Sequence, residues 1–376
     1  MKSIELSKKF GGKIEVRSKL KLTKENLPVL YTPGVAEVCK AIAKDKKLSM
    51  QYTIRKNCVA VISDGSAVLG LGNIGPEAGL PVMEGKALLF KELAGVDAFP
   101  IVLATQDVEE IIRTVKYLEP TFGGINLEDI SAPRCFEIEE RLKQEMNIPV
   151  FHDDQHGTAI VVLAGLINAL KVVKKEIKKI KIVISGSGAA GTAIAKLLIK
   201  YGAKQIVMVD TQGIIFKERT GGLNSAKMEI AGITNPHNLQ GTVGDALDKA
   251  DVFIGVSAPN ILHHMHIAKM NPSAIVFAMS NPVPEIMPEE AKKGGAQVVA
   301  TGRSDYANQL NNVLAFPGIF RGALDNGVKK ITDSHKLRVA SAIAGLIKNP
   351  IADKIIPGAL DPRVAKVVAD VFKNKK

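Results

Sequence analysis

The sequence predicts an α/β protein of two domains, of which the second contains a mostly parallel sheet. Three observations support this class. The chain has 376 residues, which is more than a single hydrophobic core usually holds. Short apolar runs typical of buried strands alternate with longer segments typical of helices. The second half opens with KIVISGSGAAGTAIAKLL, the pattern of a strand, a glycine-rich turn and a helix.

Composition and charge narrow the possible classes of protein. The first ten residues, MKSIELSKKF, lack the apolar core of a signal peptide. No uninterrupted apolar run reaches about 18 residues, so we expect no membrane-spanning helix. The net charge of +12 raises the possibility of nucleic-acid binding, but the one lysine cluster, Lys171–Lys181, has no interleaved aromatics and is typical of solvated surface. Three widely spaced cysteines fit a reducing compartment, so we expect the cytoplasm.

A predicted helix start lies beside the first candidate site residue. Thr32 followed by Pro33 is the pattern of an N-cap with proline in the first helical position. Tyr31 is therefore expected just outside a helix N-terminus, where the positive end of the helix dipole eases phenolate formation. A tyrosine in such a position more often packs than donates a proton, so both roles stay open on these observations.

A glycine-rich stretch, DGSAVLGLGNIGPEAG, comes after the predicted strand Val59–Ile62 and contains the pattern GxGxxG between residues 70 and 75. We interpret it as a substrate-side loop or hairpin and not as a dinucleotide fingerprint. A proline follows at once, no apolar helix is predicted to open on the third glycine, and no acidic residue ends the next strand. A helix predicted over 83–93 places Lys86 in its first turn beside this loop, although most helical lysines are solvated.

Two acidic pairs come after predicted buried strands further along the chain. Glu128 and Asp129 form the first pair, and Asp153 and Asp154 form the second. Carboxylates are costly to bury unless they are paired, hydrogen-bonded or bound to a metal. Oxygens converging from both pairs would form a site for Mg²⁺ or Mn²⁺, whereas helix caps or solvated charges are the ordinary alternative. The elements predicted around them are strand 98–103, helix 107–118, strand 122–127, helix 133–145, strand 148–151 and a helix from about 158 to 170.

The second half begins with a dinucleotide-binding fingerprint in its usual context: strand Lys181–Ser185, the turn GSGAAG, a helix, and a strand that ends in Asp210. In this fingerprint Gly186 makes the tight turn, Gly188 lets phosphate approach the backbone, and Gly191 lets helix and strand pack closely. The pyrophosphate rests on the helix N-terminus. The predicted cofactor-binding residues are Gly186, Ser187, Gly188, Ala189, Ala190, Gly191 and Asp210.

The choice between NAD and NADP stays open. Asp210 favours NAD because a carboxylate repels the 2′-phosphate of NADP. Lys217 and Arg219 lie shortly after it and could bind that phosphate. A Rossmann-type domain with either cofactor is therefore expected.

Three further predicted strands end in polar residues, at the edge where ligands bind in open α/β sheets. Asn281, Asn311 and Asn312 are thereby placed to contact cofactor or substrate, although an asparagine before proline, as at Asn281, is often only a turn residue. The strands are predicted over 252–256, 274–278 and 297–300, and a helix is predicted over 337–348.

Taken together, the motifs YTPGVAEVC, DGSAVLGLGNIGPEAGLPVMEGKALLFKELAGVDAFPI, INLEDI, FHDDQHGTA, GSGAAG, MSNP and NNVLAFPG resemble those of malic enzymes of the short bacterial and archaeal type. The resemblance extends from about Tyr31 to Phe320. It implies an N-terminal malic enzyme domain over residues 1–157 and an NAD(P)-binding domain over 158–376. The implied site residues are Tyr31 as general acid, Lys86 as general base, Glu128, Asp129 and Asp154 as metal ligands, and Asn281 and Asn312 as substrate or cofactor contacts, with the role of Asp153 left open.

The activity implied by the resemblance is the oxidative decarboxylation of malate to pyruvate with reduction of NAD or NADP, dependent on Mg²⁺ or Mn²⁺. A homodimer is also implied, with no nucleic-acid or membrane partner. Two alternatives stay open: a malolactic-type enzyme that releases lactate, and a catalytically silent nucleotide-binding or nucleic-acid-binding protein. The intact set of tyrosine, lysine and three carboxylates disfavours the silent protein.

Overall fold

The computed structural model describes residues 3–68 and 70–373, and it contains two sheets that pack against helices. This architecture confirms the α/β class and the mostly parallel sheet of the second half. The helices, in chain order, are α1 (Ser3–Phe10), α2 (Leu27–Leu30), α3 (Val35–Lys44), α4 (Ser49–Tyr52), α5 (Pro76–Ala94), α6 (Val108–Leu118), α7 (Arg134–Glu145), α8 (Asp153–Val173), α9 (Ala189–Tyr201), α10 (Ser225–Ile233), α11 (Val243–Leu247), α12 (His264–Ile267), α13 (Pro288–Lys293), α14 (Phe316–Asp325), α15 (Asp333–Gly345) and α16 (Arg363–Asp370).

The first sheet is entirely parallel and has four strands: β1 (Cys58–Ser63), β2 (Asp97–Val102), β3 (Gly124–Leu127) and β4 (Val150–His152). Their spatial order is β2-β1-β3-β4. Every residue of β1 and β3 is buried, as expected of central parallel strands covered on both faces. Because β3 and β4 are paired and parallel, the acidic residues at the carboxyl end of each strand emerge at the same edge.

The second sheet has six strands: β5 (Lys181–Ser185), β6 (Gln205–Asp210), β7 (Gly213–Ile214), β8 (Val252–Gly255), β9 (Ala274–Ala278) and β10 (Ala296–Thr301). Their spatial order is β10-β9-β8-β5-β6-β7, and only the short β7 is antiparallel to its neighbour. The strand order reverses between β5 and β8, so the carboxyl ends of these two strands form the crevice in which open α/β sheets bind ligands.

Helix α8 connects the two sheets and is mostly buried. It begins at Asp153, five residues before the predicted start, because two acidic residues in a first turn are stabilised by the helix dipole. Among the described residues, α8 alone is long and apolar enough to cross a membrane, but 72% of its most apolar window is buried inside the fold, as in a core helix. The helix runs unbroken across the expected domain boundary between residues 157 and 158, and that boundary stays a prediction.

The helix predicted to begin at Thr32 starts three residues later. Residues 32–34 form a turn, Gly34 is the N-cap of α3, and Thr32 is not a capping residue. The turn is held by backbone hydrogen bonds from Gly34 to the carbonyl of Pro28 and from Val35 to that of Tyr31. Tyr31 consequently lies at the C-terminal end of α2, and its predicted position at a helix N-terminus is wrong.

Helix α5 begins seven residues before the predicted start. Pro76 occupies its first position, where a missing N–H has no consequence, and the internal Pro81 is tolerated because one face of the helix packs in the core. A helix therefore does open directly after Gly75, contrary to expectation, and Lys86 lies in the middle of α5 and not in its first turn.

The glycine-rich stretch before α5 forms a loop with one antiparallel bridge, Val68 to Gly72, as expected. The other predicted elements over 98–348 lie within four residues of the observed bounds.

Candidate active site

A cavity of about 910 Å³ lies between the carboxyl ends of the two sheets. Helix α5 and the residues after β3 line one side, and the glycine-rich turn before α9 lines the other. The cavity therefore brings together most of the residues predicted from sequence. Those that line it are Lys86, Glu128, Asp129, Asp154, Gly188, Ala189, Ala190, Asn311 and Asn312.

Three carboxylates converge on one side of this cavity, as predicted. Glu128, Asp129 and Asp154 each place one oxygen within 4.8 Å of the others. The backbone N–H of Asp129 donates to the Asp154 carboxylate at 2.8 Å, which ties the residues after β3 to the first turn of α8. Three clustered carboxylates repel one another in a partly buried site, and hard oxygen ligands suit Mg²⁺ or Mn²⁺. The donor set thus fits a divalent cation.

Lys86 lies beside the three carboxylates and is only 6% exposed. Its Nζ donates to Oε1 of Glu128 at 2.6 Å and also to the carboxylate of Asp153, and it lies 4.3 Å from the ring centroid of Phe316. Burial alone would lower the pKa of Lys86, but the charges of Asp153, Glu128 and Asp154 outweigh burial and raise the pKa. These carboxylates therefore favour the ammonium form of Lys86.

The pairing of Lys86 with Asp153 is not predictable from the sequence. The sequence alone left the role of Asp153 open. Asp153 is fully buried and holds Lys86 between α5 and the first turn of α8. The only sequence signal for this second role is that Asp153 stands next to Asp154. Consecutive residues in the first turn of a helix point to different sides of the helix. One thus faces the cation site and the other faces the lysine.

The dinucleotide fingerprint forms the turn between β5 and α9, as predicted. Gly186 has a φ of 110°, and a Cβ there would lie 2.5 Å from the carbonyl oxygen of Val256, so only glycine fits. Gly191 packs against the carbonyl of Gly186 and leaves no room for a side chain. At Gly188 the space in front of the backbone is open, and this residue opens the N-terminus of α9. The turn is therefore an open cradle that fits a pyrophosphate.

Asp210 ends β6, but both of its oxygens already have cationic partners. Arg219 donates to them at 2.9 and 2.6 Å, and Lys227 donates to Oδ2 at 2.7 Å. Burial raises the pKa of Asp210, but these two cations outweigh burial and lower it to about 2. Lys217, the other cation considered from sequence, is exposed and has no such bond. Sequence reasoning missed Lys227 because it lies on α10, beyond a long loop, where no local pattern marks it.

Asn281 and Tyr31 are among the predicted residues that do not line the cavity. The carbonyl of Asn281 packs against Gly70 of the glycine-rich loop, at the rim where the two halves meet, whereas Asn312 lines the cavity itself. Tyr31 is 68% exposed and is absent from the cavity lining. The predicted contacts of Asn281 and Asn312 and the acid role of Tyr31 stay predictions.

One buried carboxylate that the sequence does not reveal organises the cofactor side. Glu285 is fully buried and accepts hydrogen bonds from the backbone N–H groups of Ser257 (2.8 Å) and Ser280 (3.0 Å). These two serines lie just after β8 and β9, so Glu285 ties together two loops at the carboxyl edge of the sheet. Its only sequence signal is its place four residues after Asn281.

Comparisons with known proteins agree with this site. The model of the malic enzyme N-terminal domain matches residues 12–143, and the model of the malic enzyme NAD-binding domain matches residues 155–372. The chain belongs to the malic enzyme family. Among the relatives of this malic enzyme family member is the bifunctional malic/malolactic enzyme of Bacillus subtilis, which is 56% identical over 370 residues, or 98% of this chain and 90% of that protein. The NAD-dependent malic enzyme of Geobacillus stearothermophilus is 57% identical over 96% of this chain and 75% of that protein.

Solved structures of malic enzymes have the same fold as this chain. The NAD-dependent malic enzyme of Thermotoga maritima superimposes with a TM-score of 0.96 at 52% identity and covers 99% of both chains. The malic enzyme of Pyrococcus horikoshii gives a TM-score of 0.93 at 50% identity, covering 98% of this chain and 89% of that chain. The similarity therefore extends over both sheets and the cavity between them.

Proposed function

We propose that this chain catalyses the oxidative decarboxylation of (S)-malate to pyruvate and carbon dioxide, with reduction of NAD or NADP and a requirement for Mg²⁺ or Mn²⁺. One observation carries the proposal. The buried Lys86, paired with Asp153 and Glu128, lies beside the three-carboxylate cluster in the same cavity as the dinucleotide turn. A base, a cation site and a hydride acceptor are the three components that the oxidation of a 2-hydroxy acid needs.

Lys86 is the proposed base that accepts the proton of the malate hydroxyl as hydride leaves carbon 2. Glu128, Asp129 and Asp154 would hold a divalent cation, which would supply polarisation of the malate hydroxyl and stabilisation of the negative charge that develops on its oxygen. The carboxylates that raise the pKa of Lys86 are those of Asp153 and of the cation site. A cation held by the cluster would offset part of that negative charge and would thereby lower the pKa of Lys86, so that its neutral form could accept the proton. Asp153 keeps the amine aimed into the cavity.

The remaining steps need a proton donor and contacts that hold the substrate. Loss of carbon dioxide from oxaloacetate leaves an enolate of pyruvate, and carbon 3 must then receive a proton. Tyr31 is the proposed donor of the proton to carbon 3, and the ammonium group of Lys86, which carries the proton taken from the malate hydroxyl, then reprotonates the Tyr31 phenolate. Asn281 and Asn312 are the proposed amide contacts, and Asn312 already lines the cavity near the lysine.

A second candidate function is suggested by the relative named a bifunctional malic/malolactic enzyme. A malolactic enzyme retains its cofactor and returns the hydride to the product, so that lactate appears without free reduced cofactor. We expect the purified chain to form one pyruvate and one reduced cofactor per malate consumed, measured by chromatography and by absorbance of the reduced nicotinamide. Lactate formed in place of both would contradict the proposal and favour the malolactic reaction.

The cofactor cradle is tested by Gly188→Val. We expect the affinity for NAD and NADP to fall by roughly 10-fold or more, because a side chain would occupy the space that the pyrophosphate needs and each 1.4 kcal/mol lost is tenfold. The melting temperature should change little, since a Cβ at Gly188 meets no atom within 4 Å. Gly358→Val is the matched control: its Cβ site is also open, but it lies outside the cavity lining. Unchanged cofactor affinity in folded Gly188→Val would refute the cradle.

The preference for NAD or NADP is tested by replacing Arg219, one of the two cationic residues that bind Asp210. Arg219→Ala is expected to lower kcat/KM with NADP by roughly 10- to 150-fold, since a hydrogen bond to a charged group contributes about 1.5–3 kcal/mol. The value with NAD should change by only a few fold, because the same substitution frees an oxygen of Asp210 for the ribose hydroxyls. Lys217→Ala, which removes an exposed cation without a bond, should leave the ratio unchanged. An equal loss with both cofactors would contradict this role of Arg219.

We further propose a homodimer in the cytoplasm that binds neither nucleic acid nor membranes. The three cysteines are free, with Cys58 and Cys135 buried and Cys39 exposed, which suits a reducing compartment. The positive surface fits a small anionic substrate such as malate, whose approach it accelerates. A salt-dependent mobility shift on DNA would contradict the exclusion of nucleic acid.

A further inference from the structure

The start of α8 carries two carboxylates that face in different directions. Asp154 belongs to the three-carboxylate cluster, and the neighbouring Asp153 binds the amine of Lys86. A displacement of this acidic turn (residues 152–156) would therefore move the cation site and the proposed base at the same time. Functional sites of this kind tolerate errors of only about 0.5 Å and 10–20°. The activity thus depends on what fixes the acidic turn in place.

Two common means of fixing the start of a helix are missing at the acidic turn. The N-cap residue of α8 is His152, and its side chain forms no capping hydrogen bond. Gln155 and His156 line a second cavity, of about 640 Å³, which shares no lining residue with the active-site cavity. On that side the acidic turn faces the second cavity and not a packed core. Its position there depends on hydrogen bonds from neighbouring elements.

Glu139 on α7 provides these hydrogen bonds and is only 4% exposed. Its Oε1 accepts from the backbone N–H of His152 at 3.0 Å. Its Oε2 lies 2.7 Å from Nε2 of the His156 ring. One carboxylate is therefore bound at both ends of the acidic turn, on either side of Asp153 and Asp154.

The bond to His152 replaces one half of a capping box. In a capping box, a Glu or Gln at the third helical position accepts the backbone N–H of the N-cap residue. The third residue of α8 is Gln155, which instead donates to the carbonyl of Cys135 at 3.5 Å. Glu139 takes over this role from another helix. Its negative charge is also favourable there, because the N-terminus of α8 is the positive end of the helix dipole.

Two lysines hold the carboxylate and the histidine ring in this arrangement. Nζ of Lys143 lies 2.8 Å from Oε1 of Glu139. Nζ of Lys336, on α15 and only 5% exposed, lies 3.0 Å from Nδ1 of His156. An ammonium group can only donate, so Nδ1 accepts and Nε2 carries the proton that is donated to Glu139. The network therefore joins α7, α8 and α15 behind the cation site.

We propose that Glu139 is a positioning residue for the cation site and for Lys86. It does not line the active-site cavity, and it acts through His152 and His156 by fixing the acidic turn between them. The inference rests on the proposed function for the presence of a cation at the three carboxylates. Reach, and not charge alone, is the property of Glu139 on which this role depends.

The decisive measurement compares two variants of Glu139 by titration of the protein with Mn²⁺, without turnover. Glu139→Asp keeps the charge but is one methylene too short to hold both ends of the acidic turn. It should weaken Mn²⁺ binding by about 10- to 100-fold, as is usual when a residue that supports a metal ligand is lost. Glu139→Gln removes the charge but keeps an oxygen within reach of the His152 N–H, and it should bind Mn²⁺ more tightly than Glu139→Asp.

The neighbouring position provides a matched control. Glu140 is exposed, and its carboxylate binds Gln144 on the same helix and no residue of the acidic turn. Glu140→Gln should therefore bind Mn²⁺ as the wild-type chain does. The affinity of every variant for NAD should stay unchanged, because the dinucleotide turn lies before α9 and has no bond to Glu139.

Kinetics separate positioning from a general effect on stability. If the acidic turn moves, Asp153 no longer aims the amine of Lys86, so kcat of Glu139→Asp should fall even at saturating Mn²⁺. A residue that only stabilised the fold would lower the melting temperature and leave both kcat and Mn²⁺ affinity unchanged below it. That result for Glu139→Asp would overturn the proposal.

The order of the two variants is the second way in which the proposal can fail. If Glu139→Gln binds Mn²⁺ as weakly as Glu139→Asp, or more weakly, the charge of Glu139 and not its reach supports the cation, and the positioning role is wrong. A wild-type chain that does not bind Mn²⁺ would instead refute the cation site of the proposed function. Normal binding by the wild-type chain and by Glu139→Asp would refute only the role of Glu139.

Discussion

Replacing Lys86 by alanine is expected to slow malate oxidation by on the order of 10²–10⁴-fold, the usual effect of losing a general base. Lys86 lines the cavity and has an amine that can accept the hydroxyl proton. Asp153 and Glu128 both bind this amine and hold it in position. The effect should appear in kcat at saturating metal and cofactor. Affinity for the cofactor, measured by fluorescence titration, should change little because Lys86 lies on the opposite side of the cavity from the dinucleotide turn.

Two further measurements distinguish loss of a base from loss of structure. Lys91→Ala removes an exposed lysine from the same helix, away from the cavity, and should leave kcat unchanged. Small primary amines added to Lys86→Ala should restore part of the rate by occupying the space beside Asp153. A normal rate for Lys86→Ala with metal and cofactor bound would show that another group is the base, and the acids around the cation site would then be the candidates.

Replacing Asp154 by asparagine is expected to weaken Mn²⁺ binding by at least about 10- to 100-fold, since even residues that only support a metal ligand have effects of this size. The change removes one of three charges in the cluster while an amide oxygen can still accept the backbone N–H of Asp129. The fold should therefore persist. Binding is measured by isothermal titration with the protein alone, so the readout does not require turnover.

Activity provides a second readout of the same cluster. Removal of divalent ions by a chelator should abolish malate oxidation by the wild-type chain, and Mg²⁺ or Mn²⁺ should restore it. Asp353→Asn, which changes a 61% exposed carboxylate paired with Lys292, serves as the matched control for lost surface charge. Wild-type affinity of Asp154→Asn for Mn²⁺ would remove Asp154 from the ligand set and would leave two carboxylates, too few for the proposed site.

The helices and strands around the site are largely predictable because local patterns determine them. Buried parallel strands are short apolar runs, and the residues at their carboxyl ends lie at one edge of the sheet. This rule is sufficient to place Glu128 and Asp154 together from the sequence, and the cluster has that arrangement. The glycine turn at 186–191 is predictable for a related reason, because its backbone shape excludes other residues at particular positions.

Two errors show where local patterns fail. The proline and glycine residues of PEAGLPV predict no helix before about residue 83, but α5 begins at Pro76 because burial of Met83, Ala87 and Phe90 favours a continuous helix. The pair Thr32–Pro33 predicts a helix start, but backbone hydrogen bonds hold a turn there. At α5, packing against the core outweighs the intrinsic preference of the local sequence. At Thr32–Pro33, the backbone bonds of Gly34 and Val35 to Pro28 and Tyr31 close a turn in place of a helix start.

The sequence by itself therefore determined the α/β class, the dinucleotide turn, the acidic residues at the strand ends and the membership in the malic enzyme family that these motifs indicated. Only the tertiary structure decided which charges meet. It pairs Lys86 with Asp153, 67 residues apart, and Asp210 with Lys227, 17 residues apart. It also left Tyr31 on the surface, away from the lysine with which it is proposed to act. The physical reason is that a local sequence pattern determines the favoured backbone conformation and which face of a helix or strand is buried. An ion pair between distant residues depends instead on how separate elements pack against one another.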